Sequence, residues 1–262
     1  MSGSLDVIDR LRSLGFRSTP EALHSLLEKA TQARSSPTEV CERLVELERR
    51  ARDATNLHRR TRAATLGSFS PLDSFDWDHP RSVDRALYER LLSLDFLEHG
   101  HNVLLRGPSG VGKTTLAQNL GLAALQQGYT VRFSTLAAAL ADLLKQESAP
   151  ALDRRLRRYL QPELLILDEL GYLPHDSRSG DLLYQIISQR HEKRSTVIST
   201  NLSFKQWGTV FPGAACVAAL VDRFVQHCHV LDIDADSWRQ KHAGPKPPSG
   251  APPSKRKASH PR

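Results

Sequence analysis

The chain of 262 residues is 39% hydrophobic and 25% charged, ordinary for a soluble globular protein and long enough for one large domain or two smaller ones. No apolar run approaches the roughly 18 residues of a membrane span, and the opening MSGSLDVIDRLRSLGF lacks the basic-then-apolar order of a secretory signal. The net charge of +7 is local: seven of the 36 Lys/Arg lie from Arg239 onward with no acid among them, which leaves 29 basic against 29 acidic residues before that point. Cys41, Cys216 and Cys228 follow no metal-ligand spacing and read as reduced, mostly buried thiols of a cytoplasmic protein.

Residues 1–66 read as a small all-helical domain. LDVIDRLRSLGF places Leu5, Ile8, Leu11 and Leu14 on one helical face. TPEALHSLLEKATQA opens with Thr19 as N-cap and Pro20 at the first helical position. SPTEVCERLVELERRARD repeats the device with Ser36 and Pro37, and aligns Val40, Leu44 and Leu47. This third helix ends in a basic run, Arg49, Arg50, Arg52, Arg59, Arg60 and Arg62, against the single acid Asp53. Such a run is either a solvated helical face or a contact to a nucleic-acid backbone. GSFSPLDSFDWDHP then breaks the periodicity and reads as a linker, 67–79.

From residue 80 to 243 short apolar runs alternate with helical stretches. Strands are expected at 102–107, 130–135, 164–169, 196–201 and 229–233. Near-continuous apolar strands separated by helices imply an α/β fold with a parallel sheet covered on both faces. Residues 244–262, rich in Pro, Gly and Ser, form a basic tail expected to be disordered.

Three elements of this region carry chemistry. GPSGVGKTT fits the phosphate-loop pattern through Gly107, Gly112, Lys113 and Thr114, with Pro108, Ser109, Gly110, Val111 and Thr115 completing the cradle. Its backbone amides and the following helix N-terminus suit a nucleotide phosphate, Lys113 suits the β/γ-oxygens, and the Thr114 hydroxyl suits Mg²⁺. LLILDEL ends a buried strand in Asp168, placed to hold Mg²⁺, and Glu169, placed to polarise water as a general base. The Asp-Glu pair favours hydrolysis over transfer to a small acceptor. TVISTN ends another strand in Asn201, whose amide can reach the γ-phosphate or the water.

With these elements in order the chain resembles AAA+ ATPases, and more narrowly the IstB-type transposition helpers and the related DnaC-type helicase loaders. The likeness covers most of residues 1–242. It is carried by GPSGVGKT, LLILDELGYLP, ISQRHEKRSTVISTN, FKQWGTVFPG and LVDRFVQHCHVLDIDADSWR. It implies a P-loop AAA+ ATPase domain without a full lid. Asn201 then resembles a sensor-1 residue, Arg223 an arginine finger entering a neighbouring subunit's ATP site, and Arg239 a sensor-2 arginine. A salt bridge with Asp222 or another local acid is the plain alternative for Arg223.

An assembled array would also repeat the basic positions Arg154, Arg155, Arg157 and Arg158 beside the 49–62 cluster, tracking phosphates without reading bases. No recognition helix, zinc site or aromatic platform is legible, so largely sequence-independent duplex DNA is the expected ligand. The resemblance implies an ATP- and Mg²⁺-dependent homo-oligomer that assembles on DNA and delivers it to a transposase, with a replicative helicase loader as the alternative. A small-molecule kinase and a scarcely hydrolysing nucleotide-gated scaffold are readings from other classes; Glu169, Asn201 and Arg223 together argue against the kinase.

Overall fold

Apolar runs of this kind need cover on both faces. A computed structural model describes residues 2–171, 178–211 and 216–238, with side chains from residue 7 onward. Arg239 and the basic tail lie outside the described residues. The chain opens with helices α1 (Ser2–Ser13), α2 (Pro20–Gln32) and α3 (Pro37–Ala64). Strand β1 (Ser82–Val83), helices α4 (Arg85–Leu91) and α5 (Asp95–Glu98) and strand β2 (Asn102–Arg106) follow. Next come α6 (Lys113–Gln126), β3 (Val131–Thr135), α7 (Leu136–Leu144), α8 (Ala149–Leu160) and β4 (Leu164–Leu170). Helix α9 (Arg178–Arg190), β5 (Ser195–Thr200), α10 (Trp207–Val210), α11 (Val217–Val225) and β6 (Cys228–Asp234) complete the order.

The six strands form one sheet in the order β1-β6-β2-β5-β4-β3. All neighbours run parallel except β1, which pairs antiparallel with β6. The five apolar runs read from the sequence are β2 to β6, each bound within one residue of expectation. Strand β1 was not anticipated, because two residues carry no alternation to read. Val103, Leu105, Leu164 and Ile166 face α4 and α6 through Tyr88, Leu116 and Leu120. Leu104, Leu165, Leu167 and Ile198 face the opposite way, onto α7, α9 and α11. Because β5 lies between β2 and β4, the C-terminal ends of these three strands emerge side by side.

The amino-terminal helices start where their caps predict. The Thr19 side chain accepts from the Ala22 amide, and Ser36 with Glu39 forms a capping box ahead of Pro37. Ile8 is buried, but Leu14 falls beyond the end of α1 and is 77% exposed, so the expected stripe stops short. Glu48 of α3 fixes the start of α2: it accepts from the amides of Arg17 (2.9 Å) and Ser18 (3.0 Å) and from Arg52 Nε (2.6 Å). Burial alone would raise its pKa, yet these hydrogen bonds outweigh burial and hold it at about 2. The far end of α3 enters the α/β core through Ala64, and the Thr65 hydroxyl donates to the Phe133 carbonyl (2.7 Å). Residues 67–79 break the helical pattern as expected, but Phe69, Leu72, Phe75 and Trp77 pin the stretch to the same core. Cys41 is exposed, contrary to the expectation of burial, and Cys216 and Cys228 are half-buried.

Arg190 at the end of α9 is 2% exposed and, among the described residues, meets no acid. Its guanidinium donates to the carbonyls of Tyr159 (3.0 Å), Leu160 (3.1 Å), Pro162 (2.7 Å) and Glu163 (3.2 Å), and to the Ser195 carbonyl and Thr196 hydroxyl. It thereby satisfies the open carbonyls of α8 and joins them to the start of β5. Burial first, then nearby Arg194, lowers its pKa to about 9. Arg190→Met should destabilise the fold by about 3 kcal/mol or more, with Arg190→Lys recovering part, as read by urea denaturation.

The starts of β2 and β6 gather histidines. The His101 ring stacks on His227 at 5.2 Å and lies 5.6 Å from His99 and 5.7 Å from His229. Burial, then the neighbouring histidines, holds His101 below the ordinary imidazole value; burial, then Arg90, does the same for His229. A depressed folded-state pKa means that the unfolded chain takes up protons first. Stability should therefore hold above about pH 6.5 and fall as pH drops below it, and a His101→Asn variant should show a shallower fall in urea midpoint between neutral and mildly acidic buffer.

Candidate functional site

The phosphate-loop sequence occupies the turn between β2 and α6. Gly107 must lack a side chain, because a Cβ there would stand 2.3 Å from the Ile233 carbonyl oxygen. Gly112 caps α6 with φ +95°, and a Cβ there would stand 2.5 Å from the Phe75 ring. Lys113 Nζ donates to the carbonyls of Gly107 (2.8 Å) and Pro108 (2.6 Å). The first amides of α6 have no carbonyl of their own helix to meet, and Lys113, Thr114 and Thr115 line the adjoining cavity. A loop pared of side chains before a helix N-terminus fits a polyphosphate.

Strand β4 ends irregularly. Its register against β5 slips between Leu167 and Leu170, and Glu169 takes the left-handed backbone at φ +62°. Asp168 stays buried at 2% exposure while Glu169 turns out to solvent. Thr114 Oγ1 donates to Asp168 Oδ2 at 2.8 Å. The other Asp168 oxygen accepts from the Ser199 hydroxyl, which in turn accepts from the Glu169 amide at 2.9 Å. The Thr114 hydroxyl beside the Asp168 carboxylate is a hard oxygen donor set, the chemistry that Mg²⁺ selects.

Thr114, Glu169 and Ser199 face one cavity of about 260 Å³, and the buried Asp168 carboxylate stands behind Thr114 and Ser199. Loop residues Ser109 to Thr115 form its floor, and Glu169, Ser199, Thr200 and Asn201 form one wall. The opposite wall comes from the expected linker, through Ser70, Ser74, Phe75, Asp76 and His79, and from Trp238. His79 and Trp238 meet edge to face at 4.8 Å, and His79 Nε2 bonds the Asp236 carbonyl at 2.9 Å. The Trp238 amide donates to the Gly110 carbonyl at 3.0 Å, so the segment after β6 straps the phosphate loop. Sequence reading missed Ser199, Phe75, His79 and Trp238; aromatic residues in an otherwise polar linker were the available signal.

Pro108 and Val111 complete the loop, Val111 buried at 2%. Arg223 does not line this cavity. It sits on α11, where Nη1 donates to the Tyr184 hydroxyl (2.5 Å) and to Ser188, with the guanidinium 5.0 Å above the Tyr184 ring. Among the described residues no carboxylate pairs with it, so the alternative of a bridge to Asp222 is corrected. Arg239 lies outside the described residues.

The basic positions divide. Arg49 and Arg50 both bond Glu46, Arg52 bonds Glu48, and Arg155 makes a two-pronged pair with Asp142. Arg60 is half-buried and donates to the Leu125 carbonyl at 3.3 Å. Arg59, Arg62, Arg154, Arg157 and Arg158 are exposed. The end of α3 meets edge strand β3, and Arg155 and Arg158 of α8 stand near Arg132 on that strand. There Arg132 donates to the Ala63 carbonyl at 3.3 Å, and burial, then Arg158, lowers its pKa. Among the described residues no helix is long and apolar enough to cross a membrane.

Comparison with known proteins agrees with this geometry. The family model for IstB-like ATP binding proteins matches residues 9–245. An ATP-binding protein of insertion sequence IS21 from Pseudomonas aeruginosa is 33% identical over 84% of this chain and 83% of its own length. The corresponding protein of IS232 from Bacillus thuringiensis subsp. berliner is 32% identical over 88% and 92%. Among solved structures, DnaI superposes with a TM-score of 0.52 at 18% identity, covering 64% of this chain and 89% of that one, a likeness of fold. The chain belongs to the IstB-like ATP-binding protein family and is a P-loop ATPase of the AAA+ fold.

Proposed function

We propose that this ATPase assembles with ATP on duplex DNA and hydrolyses the nucleotide to regulate delivery of that DNA to a transposase in the cytoplasm. The convergence of the phosphate loop, Glu169 and Asn201 on one cavity, with Asp168 bonded to Thr114 behind it, carries the chemical part of the reading. The partner part is supported by relatives named for insertion sequences, more than 30% identical over most of their length. A helicase-loader role shares the fold, at 18% identity to DnaI, and no observation favours it.

In this reading the amides of Gly107 to Thr115 hold the phosphates and Lys113 turns to the β/γ-oxygens. Thr114 and Asp168 hold Mg²⁺, which when bound neutralises charge on those oxygens. Phe75, His79 and Trp238 offer flat faces to the base. Glu169, projected by its left-handed backbone, takes a proton from water as the water oxygen attacks the γ-phosphorus and the bond to ADP breaks. Asn201 orients the water or the γ-phosphate. Arg223 of a neighbouring copy supplies positive charge to the transition state, so hydrolysis requires assembly.

The exposed arginines at the β3 edge form the nucleic-acid contact. The pairs of Arg49 and Arg50 with Glu46 are exposed on both sides and exchange readily for phosphate, whereas Arg52 and Arg155 are tied to the more buried Glu48 and Asp142. Contacts to phosphates without base readout give an affinity that falls steeply with salt.

Glu169→Gln should reduce phosphate release by about 10²-fold or more while ATP-dependent assembly on duplex DNA, followed by light scattering, persists. Unchanged release would remove Glu169 as base, and absence of any DNA-bound oligomer would remove the assembly reading. Ser199→Ala leaves the Asp168 carboxylate and the Glu169 amide short of a partner; turnover should fall roughly 10- to 100-fold with nucleotide affinity changed far less, as measured by stopped-flow phosphate release and analogue binding.

A further inference from the structure

We propose that Tyr184 and Ser188 are positioning residues that present Arg223 to the nucleotide pocket of the next copy of this chain. The inference rests on the trans-arginine reading above. Tyr184 and Ser188 stand four residues apart on α9 and so share one face of it. The rest of the helix is buried through Leu183, Ile186 and Ile187, and Arg190 anchors the helix end, which makes α9 a rigid platform. Against this platform Arg223 Nη1 donates to both hydroxyls, while the Tyr184 ring lies 5.0 Å beneath the guanidinium.

The chemistry of the cradle matters. Hydroxyls and a ring face fix a guanidinium without cancelling its charge, whereas a carboxylate would have to be displaced before a phosphate could bind. Of the five N–H donors of Arg223, those on Nε and Nη2 make no hydrogen bond within the described residues. A planar pair of donors left in that state suits two oxygens of a phosphoryl group. Arg223 does not line its own chain's cavity, so the phosphoryl group it meets belongs to another copy.

The test uses full-length protein with ATP and duplex DNA. Tyr184→Ala should lower kcat on the order of 10²-fold with KM for ATP nearly unchanged, and Tyr184→Phe, which keeps the ring, should retain most of the rate. The decisive measurement mixes Tyr184→Ala with Glu169→Gln. The first has an intact pocket and a misplaced arginine; the second has a well-placed arginine and no base. Random pairing joins an intact pocket to an intact arginine at about one site in four, so the mixture should hydrolyse ATP roughly tenfold or more faster than either variant alone. A parallel mixture of Arg223→Ala with Glu169→Gln separates the two readings. Rescue in that mixture but not with Tyr184→Ala would overturn the positioning role alone, as would full activity of Tyr184→Ala by itself. No rescue in either mixture would overturn the trans arginine, and the cradle with it.

Discussion

The Ser199 hydroxyl joins the strands whose ends build the cavity, and the geometry around it is set by the position of β5. That strand separates β2 from β4, so the phosphate loop and Asp168 cannot meet by direct strand pairing. They meet instead through Thr114 and Asp168, with Ser199 completing the bonds of the buried carboxylate. The same hydroxyl accepts the Glu169 amide that the register slip removes from the ladder. A non-glycine residue at φ +62° is disfavoured, and the structure keeps it there because a strand partner supplies the missing acceptor. One residue can then bury its carboxylate while the next exposes its own.

The second constraint comes from outside the sheet. Residues 67–79 and the segment after β6 close the cavity from opposite ends of the chain, and both are held at defined points. Phe75 abuts Gly112, Trp238 bonds Gly110, and His79 bridges to Asp236. Arg81 adds an ion pair to Asp236 beside them. Short β1, paired with β6, keeps these two segments adjacent. The nucleotide-binding face is therefore a product of the sheet and of two straps that cross its edge.

The five long strands, the loop and the strand-end residues were legible because each rests on local pattern. Buried parallel strands need runs of apolar residues, and a phosphate cradle needs glycines at fixed spacing. Ser199 was not legible, since one serine in TVISTN says nothing of its register against β4. Phe75 and Trp238 are 163 positions apart in the sequence, and only the β1–β6 pairing brings them together. The basic run of α3 was weighed against Asp53 alone, although Glu46 and Glu48 stand three and four positions before Arg49, Arg50 and Arg52 and bind all three. The salt bridge considered for Arg223 depended on sequence neighbourhood, whereas α9 offered nearer partners from 35 and 39 residues away.

The sheet order separates the β3 edge, the cavity and the α11 face in space. Strand β3, with the exposed arginines of α3 and α8 around it, lies at one edge. The cavity opens over the ends of β2, β5 and β4 in the middle. Helix α11 leads into β6 on the other side, with Arg223 directed onto α9. Arg223 does not line the nucleotide pocket of its own chain, and under the proposed assembly it completes the pocket of a neighbour. In the proposed assembly, coupling between DNA contact and hydrolysis would follow from alignment: a polyanion lining up the β3 edges of successive copies would bring the α11 face of each to the cavity of the next. In that arrangement the neutral surroundings of Arg223 matter more than its reach, since a charge already cancelled within its own subunit would contribute little at the pocket it enters.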